Sequence, residues 1–211
     1  MSDESFSAEE FWQDRYGQSD RIWSGNPNAA LVRETEGLEP GRALDLGCGE
    51  GADAIWLARQ GWQVTAVDIS RLALDRAAEH AAAEGVGDRI DWQQHDLGES
   101  FPVGTFDLVS AQFLHSPVEM PREKILRNAA SAVAPGGVLL IEGHGGFPAW
   151  EHHPHPDLHF PTPQEVIDDL GLADGQWEVL VSEEHERIQN GPDGQPTTRI
   201  DNTVKARRLP A

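Results

Sequence analysis

The chain has 211 residues with 36 acidic against 16 Lys and Arg side chains, a formal net charge of −20. That length suits one domain with a sizeable core and is too short for two full dinucleotide-binding domains. The charge removes the attraction that a phosphate backbone or an anionic membrane needs, so the expected partner is a small molecule, with no nucleic acid and no membrane. In chain order, residues 1–38 stand apart from the remainder of the chain. Ser7 with Glu10 three residues later predicts a capped helix start, and Phe11, Trp12, Tyr16, Ile22 and Trp23 place large apolar side chains ahead of the core. Ser24-Gly25-Asn26-Pro27-Asn28 is a turn string. The segment reads either as a helix packed on the core or as a lid whose aromatics cover a ligand.

From Arg42, strands and helices alternate, which predicts an α/β fold with a parallel sheet covered on both faces. Residues 43–46 form an apolar strand, 47–51 a glycine-rich turn, and 52–60 a helix stopped by Gly61. Gln63–Asp68 is the second strand, and Ser70 caps a second helix running to about residue 84. Strands follow at 89–95 and 105–112, then a helix over 121–134, Pro135-Gly136-Gly137, and the apolar strand 138–142. Thr162-Pro163-Gln164-Glu165 is a capping box with proline at its first helical position, opening a helix to about Leu170. Two strand-like runs, 176–188 and 198–208, flank Asn190-Gly191-Pro192-Asp193-Gly194 as a long antiparallel hairpin.

Glycines at 47, 49 and 51 leave three positions of the first turn without a Cβ, so the backbone can approach a ligand there. The turn runs into a helix N-terminus, and Asp68 ends the next strand, where a carboxylate can accept both hydroxyls of a ribose. Together they describe a βαβ nucleoside-binding unit. Gly47, Gly49 and Ala52 also satisfy the dinucleotide fingerprint, which leaves a nicotinamide-dependent reductase open. That class needs a catalytic Tyr-x-x-x-Lys, whereas the one tyrosine, Tyr16, has no lysine near it. Cys48, the single cysteine, occupies the turn as a small packing residue or as a reactive thiol; alone it forms no intramolecular disulfide. With no apolar run long enough to cross a bilayer, the expected location is cytoplasmic.

Asp45-x-Gly47-x-Gly49-x-Gly51, with Pro135-Gly136-Gly137 before the fifth strand, resembles the class I S-adenosylmethionine (SAM)-dependent methyltransferases over roughly residues 39–145. The resemblance implies a Rossmann-like seven-stranded, mainly parallel sheet with the last strand antiparallel and helices on both faces. It implies one methyltransferase domain over 1–211: a lid at 1–38, a SAM-binding core at 39–145, and a substrate-side loop, helix and hairpin at 146–211. The cofactor is SAM and the product S-adenosylhomocysteine. Asp45, Gly47, Cys48 and Gly49 form the cofactor's floor, Asp68 holds the ribose, and Ile69 lies on the adenine. Asp96, with Leu97, matches the position that holds the adenine amine, its bland alternative being a turn cap. Gln112 ends the fourth strand at the ligand edge. The likeness also keeps open a SAM-binding regulatory protein without turnover.

Trp12-x-x-Arg15-Tyr16 and Trp23-x-Gly25-x-Pro27-Asn28 are similar to the start of small bacterial methyltransferases related to the tellurite-resistance and thiopurine group. That likeness makes Trp12, Arg15, Tyr16 and Trp23 lid candidates. The related families suggest a soft thiol or chalcogen acceptor, while the acceptor atom (S, O, N, Se, Te or a halide) stays open. Relatives that methylate amide or base nitrogens carry Asn/Asp-Pro-Pro-aromatic after the fourth strand; here Ser110-Ala111-Gln112-Phe113 stands instead, so that chemistry is not expected. His115 is a candidate base, since its reference pKa of about 6.5 suits proton removal near neutrality; its alternative is a structural histidine. His144, His152, His153, His155 and His159 surround Trp150 after the fifth strand. Their spacing matches no closed zinc site and no cysteine contributes, so no metal is assigned; the readings are a surface loop, an acceptor lining that includes His144, and a metal or metalloid substrate site. Replacing Asp68 by alanine is expected to weaken cofactor binding without unfolding the protein.

Overall fold

A computed structural model describes residues 7–151 and 159–210. Two short helices, α1 (Ala8–Gly17) and α2 (Ala29–Glu34), precede the alternating core. The core runs β1 (Arg42–Leu46), α3 (Ala52–Arg59), β2 (Gln63–Asp68), α4 (Arg71–Ala83), β3 (Ile90–Gln94), β4 (Phe106–Gln112), α5 (Arg122–Ser131) and β5 (Val133–His144). It closes with α6 (Pro163–Leu170), β6 (Trp177–Asn190) and β7 (Pro196–Arg208). The seven strands form one sheet in the order β3-β2-β1-β4-β5-β7-β6. β1 to β5 pair in parallel, and β7 runs antiparallel to both β5 and β6.

Strand alternation explains the two covered faces. Leu44, Leu46, Val109, Leu139 and Ile141 point to one side, where Ile125, Leu126 and Ala129 of α5 and Val166 and Leu170 of α6 bury them. Ala43, Ala66, Leu108, Val138 and Leu140 point to the other, against Ala54, Leu57 and Ala58 of α3 and Leu31 of α2. An apolar run such as Val138-Leu139-Leu140-Ile141 therefore feeds both cores, as a strand buried on two faces requires. Both predicted capping boxes form: Ser7 with Glu10 on α1, and Thr162 with Glu165 on α6. The chain leaves β1 outward through β2 to β3 and returns to β4 on β1's other side. This reversal puts a crevice at the carboxyl ends of β1 and β4, where open α/β sheets hold their ligands.

The fifth-strand junction differs from the expected helix over 121–134. α5 stops at Ser131, and β5 begins at Val133, which is fully buried and pairs with Phe106. The alanine-rich run favours helix, but burial of Val133 in the sheet wins, and Pro135 cannot donate a helical hydrogen bond. Gly137 then crosses an irregularity in the β4–β5 pairing. A Cβ there would lie 2.9 Å from the carbonyl oxygens of Ala134 and Phe106 and 3.0 Å from that of Asp107. All three are backbone atoms that cannot swing away. Gly137→Ala is therefore expected to cost about 1–3 kcal/mol, the range of an overpacked interior, read as a lowered midpoint in thermal or urea unfolding.

Candidate functional site

The crevice opens into a cavity of about 960 Å³, and Asp45, Gly47, Cys48, Gly49, Asp68, Ile69, Asp96, Leu97 and Gln112 all line it. Its floor is the β1–α3 turn. Gly47 and Gly49 have φ of 69° and 53°, and a Cβ on Gly47 would come within 2.7 Å of Leu114 Cδ1. The Asp68 carboxylate ties this turn to the end of β2, accepting from the Gly49 amide at 2.9 Å and from the Ser70 amide at 2.9 Å. Asp53, at the start of α3, accepts from the Asn28 amide and side chain, each at 2.7 Å. Asp45 Oδ2 and Gln112 Oε1 are the two buried side-chain polar atoms without a hydrogen-bond partner among the described residues. Burial raises the Asp45 carboxyl well above its ordinary pKa, and the charges of Asp53 and Asp68 push it further. Burial also raises Asp68 and Asp53 against the backbone amides that hold their ionised forms. Burial first, then the Asp68 charge, pushes the Cys48 thiol up, so the small-packing reading fits and a reactive thiolate does not.

The N-terminal segment forms one wall. Trp12 and Tyr16 lie at i and i+4 on one face of α1, and Trp12 Nε1 donates to Ser116 Oγ at 3.3 Å. Trp23 Nε1 donates to Tyr16 Oη at 3.2 Å. Buried Glu50, inside the glycine turn, anchors the loop by accepting from the Ile22 amide at 3.0 Å and the Trp23 amide at 3.1 Å. Its other oxygen meets Arg76 at 3.1 Å. Arg15 departs from expectation. It sits about 100° around the helix from Tyr16, is exposed, and bonds Gln18 outside the cavity.

The opposite wall follows β4. Phe113 is the one non-glycine residue with positive φ (51°) among the described residues, at the turn that aims Leu114 and His115 into the cavity. His115 Nε2 accepts from the His144 amide at 3.2 Å. Burial and nearby Arg122 push its pKa down to about 3. A nitrogen so engaged does not take a proton near neutrality, so the structural histidine replaces the expected base. Asp96 caps the turn, its Oδ1 accepting from the Gly98 amide at 2.9 Å, while the residue still faces the cavity. His144 lines the cavity as expected, and its Nδ1 meets Asp201 Oδ1 at 2.9 Å. His159 is exposed and pairs with Glu165 at 3.2 Å. His152, His153 and His155 lie outside the described residues. Among the described residues no group of three or more His, Cys, Asp or Glu side chains is placed to hold a metal ion.

Comparison with known proteins places this arrangement. A methyltransferase-domain family profile matches residues 43–137. The 2-heptyl-1-hydroxyquinolin-4(1H)-one methyltransferase of Mycobacteroides abscessus is 30% identical over 161 residues, 72% of this chain and 69% of its own length. The chain belongs to the SAM-dependent methyltransferases. A ribosomal RNA small subunit methyltransferase C of Alcanivorax borkumensis is 32% identical over 57% of this chain and 38% of its own length. The chain thus spans about two fifths of the first curated relatives that it matches, 38%, 40% and 36% of their lengths. The crystal structure of TehB from Haemophilus influenzae shares the fold, with a TM-score of 0.68 at 20% identity, covering 96% of this chain and 67% of that one.

The residues present fit the family's cofactor on their own chemistry. Three buried carboxylates, Asp45, Asp53 and Asp68, converge on the glycine turn, and one of their oxygens has no donor among the described residues. A cationic ligand relieves that charge, whereas a pyrophosphate would add to it. Sequence reading missed Glu50 as the anchor of the N-terminal loop and the polar set Arg187, Gln189, Arg199 and Asp201. The first three of that set line the cavity, and Asp201 meets His144 and Arg187. The available signal was a period of two, His185-x-Arg187-x-Gln189 and Arg199-x-Asp201, which gains meaning only once strand register is known.

Proposed function

We propose that this chain transfers the methyl group of SAM to a small organic acceptor, working as one domain in three parts: lid 1–38, cofactor core 39–145 and substrate side 146–211. The observation that carries the reading is the trio of buried carboxylates at the glycine turn, with Asp45 Oδ2 unpartnered among the described residues. They suit a donor that is a sulfonium cation. Gly47 and Gly49 give its methionine and ribose parts close access to backbone, Asp68 takes the ribose hydroxyls, and Asp96 takes the adenine amine between Ile69 and Leu97. When bound, SAM supplies an already electrophilic methyl carbon. The protein's task is then to position the acceptor in line and to exclude water, which Trp12, Tyr16 and Trp23 do from the lid.

Three features support a small acceptor over nucleic acid. The formal charge is −20, the lid narrows the crevice, and the Mycobacteroides relative is named for a hydroxyquinolone. Calorimetric titration with S-adenosylhomocysteine beside NADH tests the cofactor. The expected outcome is micromolar binding of the first and no heat from the second. Binding of NADH alone would send the assignment back to the Gly47-x-Gly49-x-x-Ala52 fingerprint. Transfer of labelled methyl from SAM to ribosomal RNA, with none to small hydroxyl, thiol or amine compounds, would overturn the acceptor class.

A further inference from the structure

The last three strands carry the polar set that the cofactor does not use. His144 and Asp201 stand directly opposite one another in the β5–β7 pairing, so their side chains leave the same face. Asp201 is fully buried. One of its oxygens meets His144 Nδ1 at 2.9 Å and the other accepts from Arg187 Nε. On β6 the pattern is inverted: His185, Arg187 and Gln189 face inward, while apolar Ile188 is 75% exposed. A strand that hides polar side chains and exposes an isoleucine keeps that inner face for something other than packing. Arg187 and Arg199 reach the cavity beside His144 in a chain of strongly negative charge. The His144 ring lies 4.6 Å from that of Phe113 and stacks 5.2 Å from that of His115.

This arrangement fixes a tautomer. Burial alone would raise the Asp201 carboxyl, but the hydrogen bonds from His144 and Arg187 outweigh it and hold it below its ordinary range. An ionised Asp201 can only accept, so His144 carries its proton on Nδ1. Its Nε2 meets no hydrogen-bond partner among the described residues, and the side chain is 22% exposed to the cavity side. His115 cannot compete for that role, because its own Nε2 is taken by the His144 amide.

We propose that His144, oriented by Asp201, is the general base for an acidic aromatic hydroxyl, whose developing negative charge faces Arg187 and Arg199. The inference rests on the methyltransferase reading and names its acceptor class. In the step, His144 Nε2 takes the hydroxyl proton while an oxygen electron pair forms the new O–CH₃ bond. The pair of the broken C–S bond stays on sulfur, and the proton passes from the imidazolium to solvent. Asp201 is the positioning residue. The groups facing His144 are Asp201 and Arg199 on β7, Arg187 on β6, and His115 after β4. Burial first, opposed by the Asp201 hydrogen bond and seconded by the charges of Arg199 and Arg187, holds its pKa below the ordinary histidine value. The ring is therefore neutral near neutrality, and the Asp201 contact is what supports its basicity.

Two phenols test this with SAM at mildly alkaline pH: 4-nitrophenol, which titrates close to neutrality and is then mostly phenolate, and 4-methylphenol, which like tyrosine titrates at about pH 10 and is then mostly neutral. His144→Asn keeps a donor toward Asp201 and removes the base. The variant should lose on the order of 100-fold or more in kcat on 4-methylphenol, with KM little changed and little loss on 4-nitrophenol. Its rate on 4-methylphenol should climb with pH as free phenolate appears, and S-adenosylhomocysteine binding by calorimetry should match wild type. His144→Gln serves where the asparagine variant does not fold. Nitrogen NMR of the free protein should find His144 protonated at Nδ1.

Equal loss on both phenols would make His144 a packing residue and overturn the proposal, as would an Nε2-protonated ring. A wild type that binds S-adenosylhomocysteine yet methylates neither phenol overturns the hydroxyl assignment and spares the cofactor reading. Failure to bind S-adenosylhomocysteine overturns both.

Discussion

Replacing Asp68 by alanine is expected to lower affinity for S-adenosylhomocysteine by on the order of 100-fold, and to lower the thermal midpoint with it. The two losses have separate origins. One carboxylate oxygen accepts from the Gly49 amide and the other from the Ser70 amide, so alanine strands two buried donors that shape the glycine turn and start α4. A buried N–H left without an acceptor costs about 1–3 kcal/mol. The variant is still expected to fold, at a lower midpoint, because Asp68 is a structural tie as well as a proposed ribose ligand. Asp68→Asn separates the roles. It keeps one acceptor oxygen and presents an NH₂ group to the other amide, so its midpoint should fall less than that of alanine while ligand affinity still drops. Calorimetry and thermal unfolding on both variants read the two effects independently. An alanine variant that melts early but binds normally would leave Asp68 as the clasp of the turn and move the ribose elsewhere.

What the sequence revealed and what it concealed divide along the range of the interactions involved. The β1–α3–β2 unit was legible because glycine spacing, the helix start and Asp68 all fall within 24 residues of one another (45–68). Both capping boxes were legible for the same reason. The end of α5 was misplaced because local alanine propensity spoke for helix, while the pairing of Val133 with Phe106 is invisible before the sheet is known. Arg15 shares its motif with Trp12 and Tyr16 by resemblance, and i to i+3 spacing from Trp12 allows the same face, yet the side chain is exposed and bonds Gln18 outside the cavity. The His144–Asp201 pair joins residues 57 positions apart across a strand order that inserts β7 between β5 and β6. No motif scan of the chain could align them. His115 shows the converse: its position at the end of β4 was read correctly, but the backbone amide that occupies its ring nitrogen comes from a different strand.

Asp45→Asn should move stability and binding in opposite directions. In the free protein Asp45 is buried, its Oδ2 has no donor among the described residues, and the charges of Asp53 and Asp68 oppose its ionisation. Asparagine has nearly the same shape, retains an oxygen for the Ala54 amide and carries no charge, so the free variant should melt at or above the wild-type temperature. A cationic ligand loses its nearest unpartnered carboxylate, and affinity for SAM should fall by about 10- to 100-fold, the worth of a charged hydrogen bond. The sign of the pH dependence is set by the same burial. A carboxyl whose folded pKa is raised contributes stability that is present below its unfolded value of about 3.9 and is lost as pH rises through the folded pKa. A cation binds the ionised form, so the stabilisation that SAM confers on wild type should grow as pH rises through that same window. Asp68 and Asp53 are raised too and act with the same sign, so the asparagine variant should flatten this growth without abolishing it. Thermal unfolding with and without SAM across the mildly acidic to neutral range measures both slopes. Should the variant melt far below wild type and bind SAM undiminished, the buried acid would be a structural partner, and the electrostatic case for a sulfonium ligand would rest on Asp68 and Asp53 alone.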